Sequence, residues 1–296
     1  MIKRGRGVFI ASFLAPALVI YVGVVVFPLL QSFALSLYQW RGLSDKKTFV
    51  GAGNFSKLAH DDVFWKAVRN NLDLFFVGGA IILILAVSVA HGLQGTGRIS
   101  KTLRSVVLFP QMISLVAVGV LWMFIFNPQF GLVTSFLNAV GLSGWVHTWL
   151  GESGTAFPSV GVAFVWYASG FYIMLFAAGI KAVPAELYEA AELDGATGLR
   201  RFWRVTWPML WSVKRIAIVH LAITVVNVFV LVRLMTLGGP DHATEVMLTD
   251  LYNNAFLYSQ FGYATAIAVV NFVVVMLLAV AILLAFRRDP TEPRTA

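Results

Sequence analysis

Six stretches of this chain stay apolar for about 20 residues or more, at about 8–30, 72–93, 105–126, 157–180, 213–235 and 264–286. Each is the length a helix needs to cross the roughly 30 Å hydrocarbon core of a bilayer. Inside lipid no water satisfies the backbone N–H and C=O groups, so such runs must close their hydrogen bonds within the segment, as helices. The expectation is an all-α membrane protein with six transmembrane helices, its 296 residues forming a single transmembrane domain. Composition agrees: 59% of residues are hydrophobic and 12% charged, about half the ~25% charge of a soluble domain. Cysteine is absent, which excludes a disulfide framework, a thiol nucleophile and a thiolate metal site.

Six crossings put both termini on one side, and the basic residues say which. Three lie at the N-terminus (Lys3, Arg4, Arg6), three in 95–104 (Arg98, Lys101, Arg104), six in 181–215 and three at the C-terminus, 15 of the 22 Lys and Arg. Loops 127–156 and 236–263 contain none. Cytoplasmic loops carry the Lys/Arg excess, so both termini and the loop at 181–212 are expected in the cytoplasm. Loop 31–71 departs from the pattern, with six basic residues alongside Asp45, Asp61 and Asp62. The topology accounts for the net charge of +8, and no basic helix face interleaved with exposed aromatics points to nucleic acid. The first apolar run exceeds the usual 7–15-residue core of a signal peptide and ends in no A-x-A site, so it reads as an uncleaved anchor.

Charge is scarce within the spans. Asp73 sits at a helix edge, Arg233 lies within about a turn of the outer surface where it can snorkel, and no Asp or Glu falls near mid-span. Ion-coupled transporters commonly place a carboxylate there, so energy for any transport must come from elsewhere. Three look-alike motifs fail. Gly92-Leu93-Gln94-Gly95-Thr96-Gly97-Arg98-Ile99 lacks the Lys and Ser/Thr of a phosphate-binding loop and follows a membrane helix, not a strand. Gly151-Glu152-Ser153-Gly154 resembles a protease G-x-S-G, but His220 belongs to the opposite end of its span and cannot reach Ser153. His60, His91, His147, His220 and His242 are scattered singly, without metal-ligand spacing.

The loop at 181–212 carries the most specific pattern. Pro184 suits the start of a helix, Ala185 to Glu192 favour one, and Asp194-Gly195 ends it, glycine being free to take positive φ. The result is a rod of roughly 12 Å at 1.5 Å per residue. Glu186 and Glu189 share a face suited to basic partners, and Ala190 and Ala191 permit close approach of another backbone. Spacing alone leaves an ordinary linker helix as an equal alternative.

Glu189, Ala190, Ala191, Asp194, Gly195, Ala196, Phe202 and Pro208 together resemble the EAA loop of permease subunits in binding-protein-dependent ABC importers, with Val205 and Trp207 in place of the family's usual Ile and Leu. Further segments look like those of the maltose-type sugar permeases, in order along the chain: Phe49-Val50-Gly51-Ala52-Gly53-Asn54-Phe55, Phe126-Asn127-Pro128-Gln129-Phe130-Gly131-Leu132-Val133, Thr236-Leu237-Gly238-Gly239-Pro240, Thr244-Glu245, Tyr252, Ala255-Phe256 and Gly262-Tyr263-Ala264.

The resemblance implies the type I ABC importer permease fold in a bacterial or archaeal cytoplasmic membrane. It also implies a division of labour. A second permease subunit, commonly a different chain, completes the pathway. Two ATPase subunits bind ATP and magnesium and grip the coupling helices at 184–195, while an extracytoplasmic sugar-binding protein delivers substrate; this chain then has no cofactor or catalytic residue of its own. ATP can shift the inward- and outward-open states only by as much as its binding differs between them. Positions matching the maltose-type pocket are Gln111, Leu115, Phe164, Tyr167, Ala168, Leu221, Thr224, Val225 and Val228, with Asn227 standing beside a polar family position. Several are apolar here, which argues against maltose itself. Two other readings are a permease for a solute such as glycerol phosphate, which would want a cation nearer mid-membrane than Arg233, and a facilitator that needs no ATPase.

Overall fold

The structure is a computed structural model that describes residues 2–43, 46–95 and 97–288, with side chains throughout these segments except at 2–8 and 99–101. Lys3, Arg4, Arg6, Asp45, Thr96, Ile99, Lys101 and Arg294, used in the charge and motif readings, lie outside the described side chains. Among the described residues, five helices are long and apolar enough to cross a membrane: α1 (Phe9–Leu35), α3 (Asp62–Gly92), α7 (Ser153–Lys181), α9–α10 (Trp211–Met235) and α12 (Phe261–Ala285). A sixth crossing exists if a bent helix pair, α4 (Arg98–Met112) and α5 (Leu115–Ile125), is one span. Shorter helices fill the connections: α2 (Gly53–Ala59), α6 (Leu132–Ala139), α8 (Ala185–Leu193) and α11 (Met247–Tyr252). The all-α expectation is met apart from a two-residue antiparallel ladder of β1 (Tyr38–Gln39) and β2 (Thr48–Phe49).

The third span is not the continuous helix that hydropathy predicts over 105–126. Its two arms meet at 101°, because the helix that contains Pro110 ends at Met112 and Ile113 and Ser114 leave helical geometry, with ψ of 140° and 137°. The fifth is also interrupted: α9 (Trp211–Val226) ends at Asn227, and α10 (Val230–Met235) starts only after Phe229, whose φ is −133°.

Contacts gather the chain into two units, Met1–Asp61 with Leu251–Phe272, and Asp62–Asp250 with Val273–Ala296. In the first, Asn54 donates its amide to the Ser36 and Tyr38 carbonyls at 2.8 and 3.0 Å, which seats α2 beneath the ladder's first strand. The apolar window of α1 buries nothing within the chain. In the second, the core forms where α3, α5, α7, α9 and α10 face one another, around Ile82, Val118, Val160, Phe164, Leu221 and Leu231. Lipid tails are as apolar as these side chains, so close packing and not water exclusion must hold the helices together. Gly170 shows how: a Cβ there would lie 2.7 Å from the Val107 carbonyl, so only glycine lets α4 lie this close to α7.

Candidate functional site: a capped short helix and two broken spans

The segment at 184–195 folds as a short helix sealed at both ends. Pro184 stands just before α8, not within its first turn, with ψ 136° and its carbonyl accepting the Leu187 N–H at 3.2 Å. At the other end Gly195 takes φ +71°. Its N–H donates to the Glu192 carbonyl at 3.0 Å, and the Ala196 N–H to the Ala191 carbonyl at 2.8 Å. That bond pair is the Schellman cap, in which an apolar contact usually joins the residues bridged by the longer bond. It corrects the role expected of Ala191. With 8% exposure, that residue lies under the cap with buried Ala196 and offers no surface to a partner.

Glu186, Glu189, Ala190 and Leu193 fall at i, i+3, i+4 and i+7, so they share one stripe of the rod, and all four are exposed. Leu193, at 91% exposure, was not singled out by the sequence reading. The signal was present, since a leucine beside a helix-ending Asp-Gly has no neighbouring turn to pack on. Behind the stripe the loop is anchored. The Tyr188 hydroxyl meets Thr206 Oγ1 at 3.2 Å, with Arg201 over the Tyr188 ring at 5.5 Å. Buried Phe202 packs edge-on against His91 of α3 at 5.0 Å between ring centroids. The rod is thus joined to the end of α3 in two steps, by the Tyr188–Thr206 hydroxyl contact and then the Phe202–His91 ring contact.

The ten positions expected along a substrate pathway divide by burial. Phe164, Ala168, Leu221, Val225 and Val228 are buried in the core, where they pack helices together. Gln111, Leu115, Tyr167 and Thr224 are part-exposed and Asn227 is exposed. Gln111 and Leu115 flank the break in the third span, and Asn227 and Val228 lie in the break of the fifth. Gln111 Nε2 donates to the Tyr167 carbonyl at 2.9 Å, tying the bend to α7. Thr224 Oγ1 donates to the His220 carbonyl at 2.8 Å and Asn227 Nδ2 to that of Ile223 at 2.7 Å. Interrupted membrane helices free backbone groups for a ligand where the protein lines a cavity.

His220, dismissed above as scattered, is partnered. It accepts or donates at 3.0 Å with the Tyr172 hydroxyl and stacks on Phe171, 4.4 Å between centroids. Tyr172 lies 19 residues along α7 from Ser153, about 28 Å at helical rise, which removes the protease reading on geometry.

A family model described as binding-protein-dependent transport system inner membrane component matches residues 78–289. The diacetylchitobiose uptake system permease protein NgcF of Streptomyces coelicolor is 37% identical, over 95% of this chain and 83% of that protein. The probable ABC transporter permease protein YurN of Bacillus subtilis is 36% identical, over 95% of this chain and 96% of its own length. Among solved structures, a chain of a bacterial alginate ABC transporter, in complex with an alginate pentasaccharide-bound periplasmic protein, shares the fold with a TM-score of 0.83, at 21% identity over 98% of each chain. On the family match and the two relatives, the chain belongs to the inner membrane components of binding-protein-dependent transport systems.

Proposed function

We propose that this chain, with residues 1–296 acting as one permease domain, moves a sugar or oligosaccharide from an extracytoplasmic binding protein into the cytoplasm. Two separate ATPase subunits would drive it, seated on Glu186, Glu189, Ala190 and Leu193, with Asp194 and Gly195 closing the rod. The observation that carries this reading is the capped rod, whose acid-and-leucine stripe faces outward while Tyr188 ties it to the 202–206 segment that packs on the end of α3 through Phe202. A helix stiffened at its C-terminus and anchored from behind transmits a displacement, whereas a loose linker absorbs it. ATP and its magnesium belong to the ATPase subunits, and a second permease subunit completes the pathway. The sugar class rests on the diacetylchitobiose relative and the maltose-type segments; the amides and hydroxyls of Gln111, Tyr167, Thr224 and Asn227 beside two broken helices supply the polar partners such a ligand needs.

Orientation is testable because the chain has no cysteine. A cysteine placed at Glu189 is expected to resist a membrane-impermeant maleimide until spheroplasts are permeabilised, while one at Ser143 reacts from outside at once. Labelling of the Glu189 position in sealed spheroplasts would place the rod on the wrong side for an ATPase.

The division among pathway positions gives a second test. Leu221→Ala is expected to lower stability by about 2–5 kcal/mol, as buried leucine truncations do. Asn227→Ala, at an exposed side chain, should leave the melting temperature within ~2 °C of the parent while reducing uptake severalfold, an effect of about 1 kcal/mol. Unaltered uptake by the Asn227 variant would remove the fifth-span break from the pathway.

A further inference from the structure

The six basic residues of loop 31–71 stand against the charge bias of the rest of the chain. On the orientation proposed above they face outward, where topology gives no reason for them. The structure collects two of them in one concavity. A pocket of about 690 Å³ lies within the unit formed by Met1–Asp61 and Leu251–Phe272, and its lining includes Trp40, Arg41, Lys57, Tyr258, Gln260 and Tyr263. None of the described residues that line it is Asp or Glu. Asp61 accepts the Tyr263 hydroxyl at 2.5 Å and is not itself part of the lining.

The pocket is held in shape. Lys57 Nζ donates to Gln260 Oε1 at 2.7 Å and sits 4.2 Å from the Tyr263 ring centroid. Trp40 packs on Phe261 at 5.7 Å between rings, and the Trp40 carbonyl accepts the Gly262 N–H at 3.1 Å. Ser259 is fixed at φ +52°, a conformation that costs a non-glycine residue energy and tends to occur at ligand-clamping sites. Large apolar side chains close by in sequence are exposed: Leu43 at 98%, Phe256 at 61% and Leu257 at 58%.

Tryptophan, tyrosine and arginine gathered in one concave site are the composition of protein–protein hot spots. A free neutral sugar would account for the aromatic rings but gives no reason for Arg41 and Lys57 in a lining without Asp or Glu. Resting on the importer reading and its orientation, we propose that this pocket seats an acidic surface loop of the extracytoplasmic binding protein. Its carboxylates would meet Arg41 and Lys57, and an apolar residue of the loop would lie against Trp40 and Tyr258.

The test measures docking of the cognate, ligand-loaded binding protein on the whole importer complex in nanodiscs, with the ATPase rate in its absence as the check on assembly. Arg41→Glu with Lys57→Glu is expected to weaken docking at least tenfold and to flatten its dependence on salt, leaving the unstimulated ATPase rate unchanged. The milder pair Arg41→Gln with Lys57→Gln should give the same direction if the reversal disturbs folding. Docking within twofold of the parent in the assembled variants overturns the site while leaving the importer reading intact. A parent complex that recruits no binding protein overturns both.

Discussion

Glu189→Lys is expected to leave the chain inserted in the membrane at normal levels while uptake falls to background and the ATPase subunits no longer co-purify. The reason is local. Glu189 is exposed at the centre of the stripe of α8 and takes no part in the Schellman cap or the Tyr188–Thr206 and Phe202–His91 contacts that hold the loop. Reversing its charge changes only what a partner meets. Like charges brought together in a desolvated interface cost several kcal/mol, and every 1.4 kcal/mol is tenfold in affinity. Gly195→Pro reaches the same end by another route. Proline cannot adopt φ +71° and has no N–H to give the Glu192 carbonyl, so the rod frays at its C-terminus. Uptake by either variant at more than about a third of the parent rate, with the ATPase still bound, would separate the rod from coupling.

Asn71→Ala is the substitution expected to cost most stability among the polar positions. Asn71 is 3% exposed on α3, yet it serves two distant backbone groups. Its Nδ2 donates to the Val225 carbonyl at 2.8 Å, at the break of the fifth span, and its Oδ1 accepts the Met247 N–H at 3.1 Å. Alanine strands the buried Met247 donor and takes from the Val225 carbonyl its one side-chain donor, leaving it the Val228 N–H at 3.2 Å and the Asn227 N–H that closes α9. A buried group left unsatisfied costs about 1–3 kcal/mol, so a total loss of roughly 2–4 kcal/mol is expected. Thermal melting of the purified protein and hydrogen exchange over 236–250 would read it. Unchanged protection there would mean that other contacts hold the loop.

Much of this architecture was legible in the sequence, and what was hidden has a common cause. The spans could be read because crossing lipid demands about 20 apolar residues, and averaging over such a window is robust. The same averaging cannot see a broken hydrogen-bond ladder. Asn227-Val228-Phe229 holds no Pro or Gly and its single polar residue vanishes in the window average, yet α9 stops there. Pro110 gave a hint of the third-span bend, but a proline within a helix often only kinks it. The short helix α8 was legible because Pro184 and Asp194-Gly195 punctuate it. The inward turn of Ala191 was not, because two adjacent alanines look alike until the cap bonds decide which faces in. The pathway residues were drawn from family positions, and five of them fall on the packing side of their helices in this chain. Asn70 and Asn71 passed as the polar fringe of a membrane run. Their partners are about 150 residues or more away in the chain, beyond the reach of local pattern.

Asn70 and Asn71 grip main chain only: the carbonyls of Ala243, Glu245 and Val225 and the amide of Met247. A mooring of that kind is indifferent to which side chains the moored segment displays. The stretch between the fifth and last spans can therefore exchange its outward chemistry residue by residue, and meet a different protein or solute, without coming adrift from the helix that carries it.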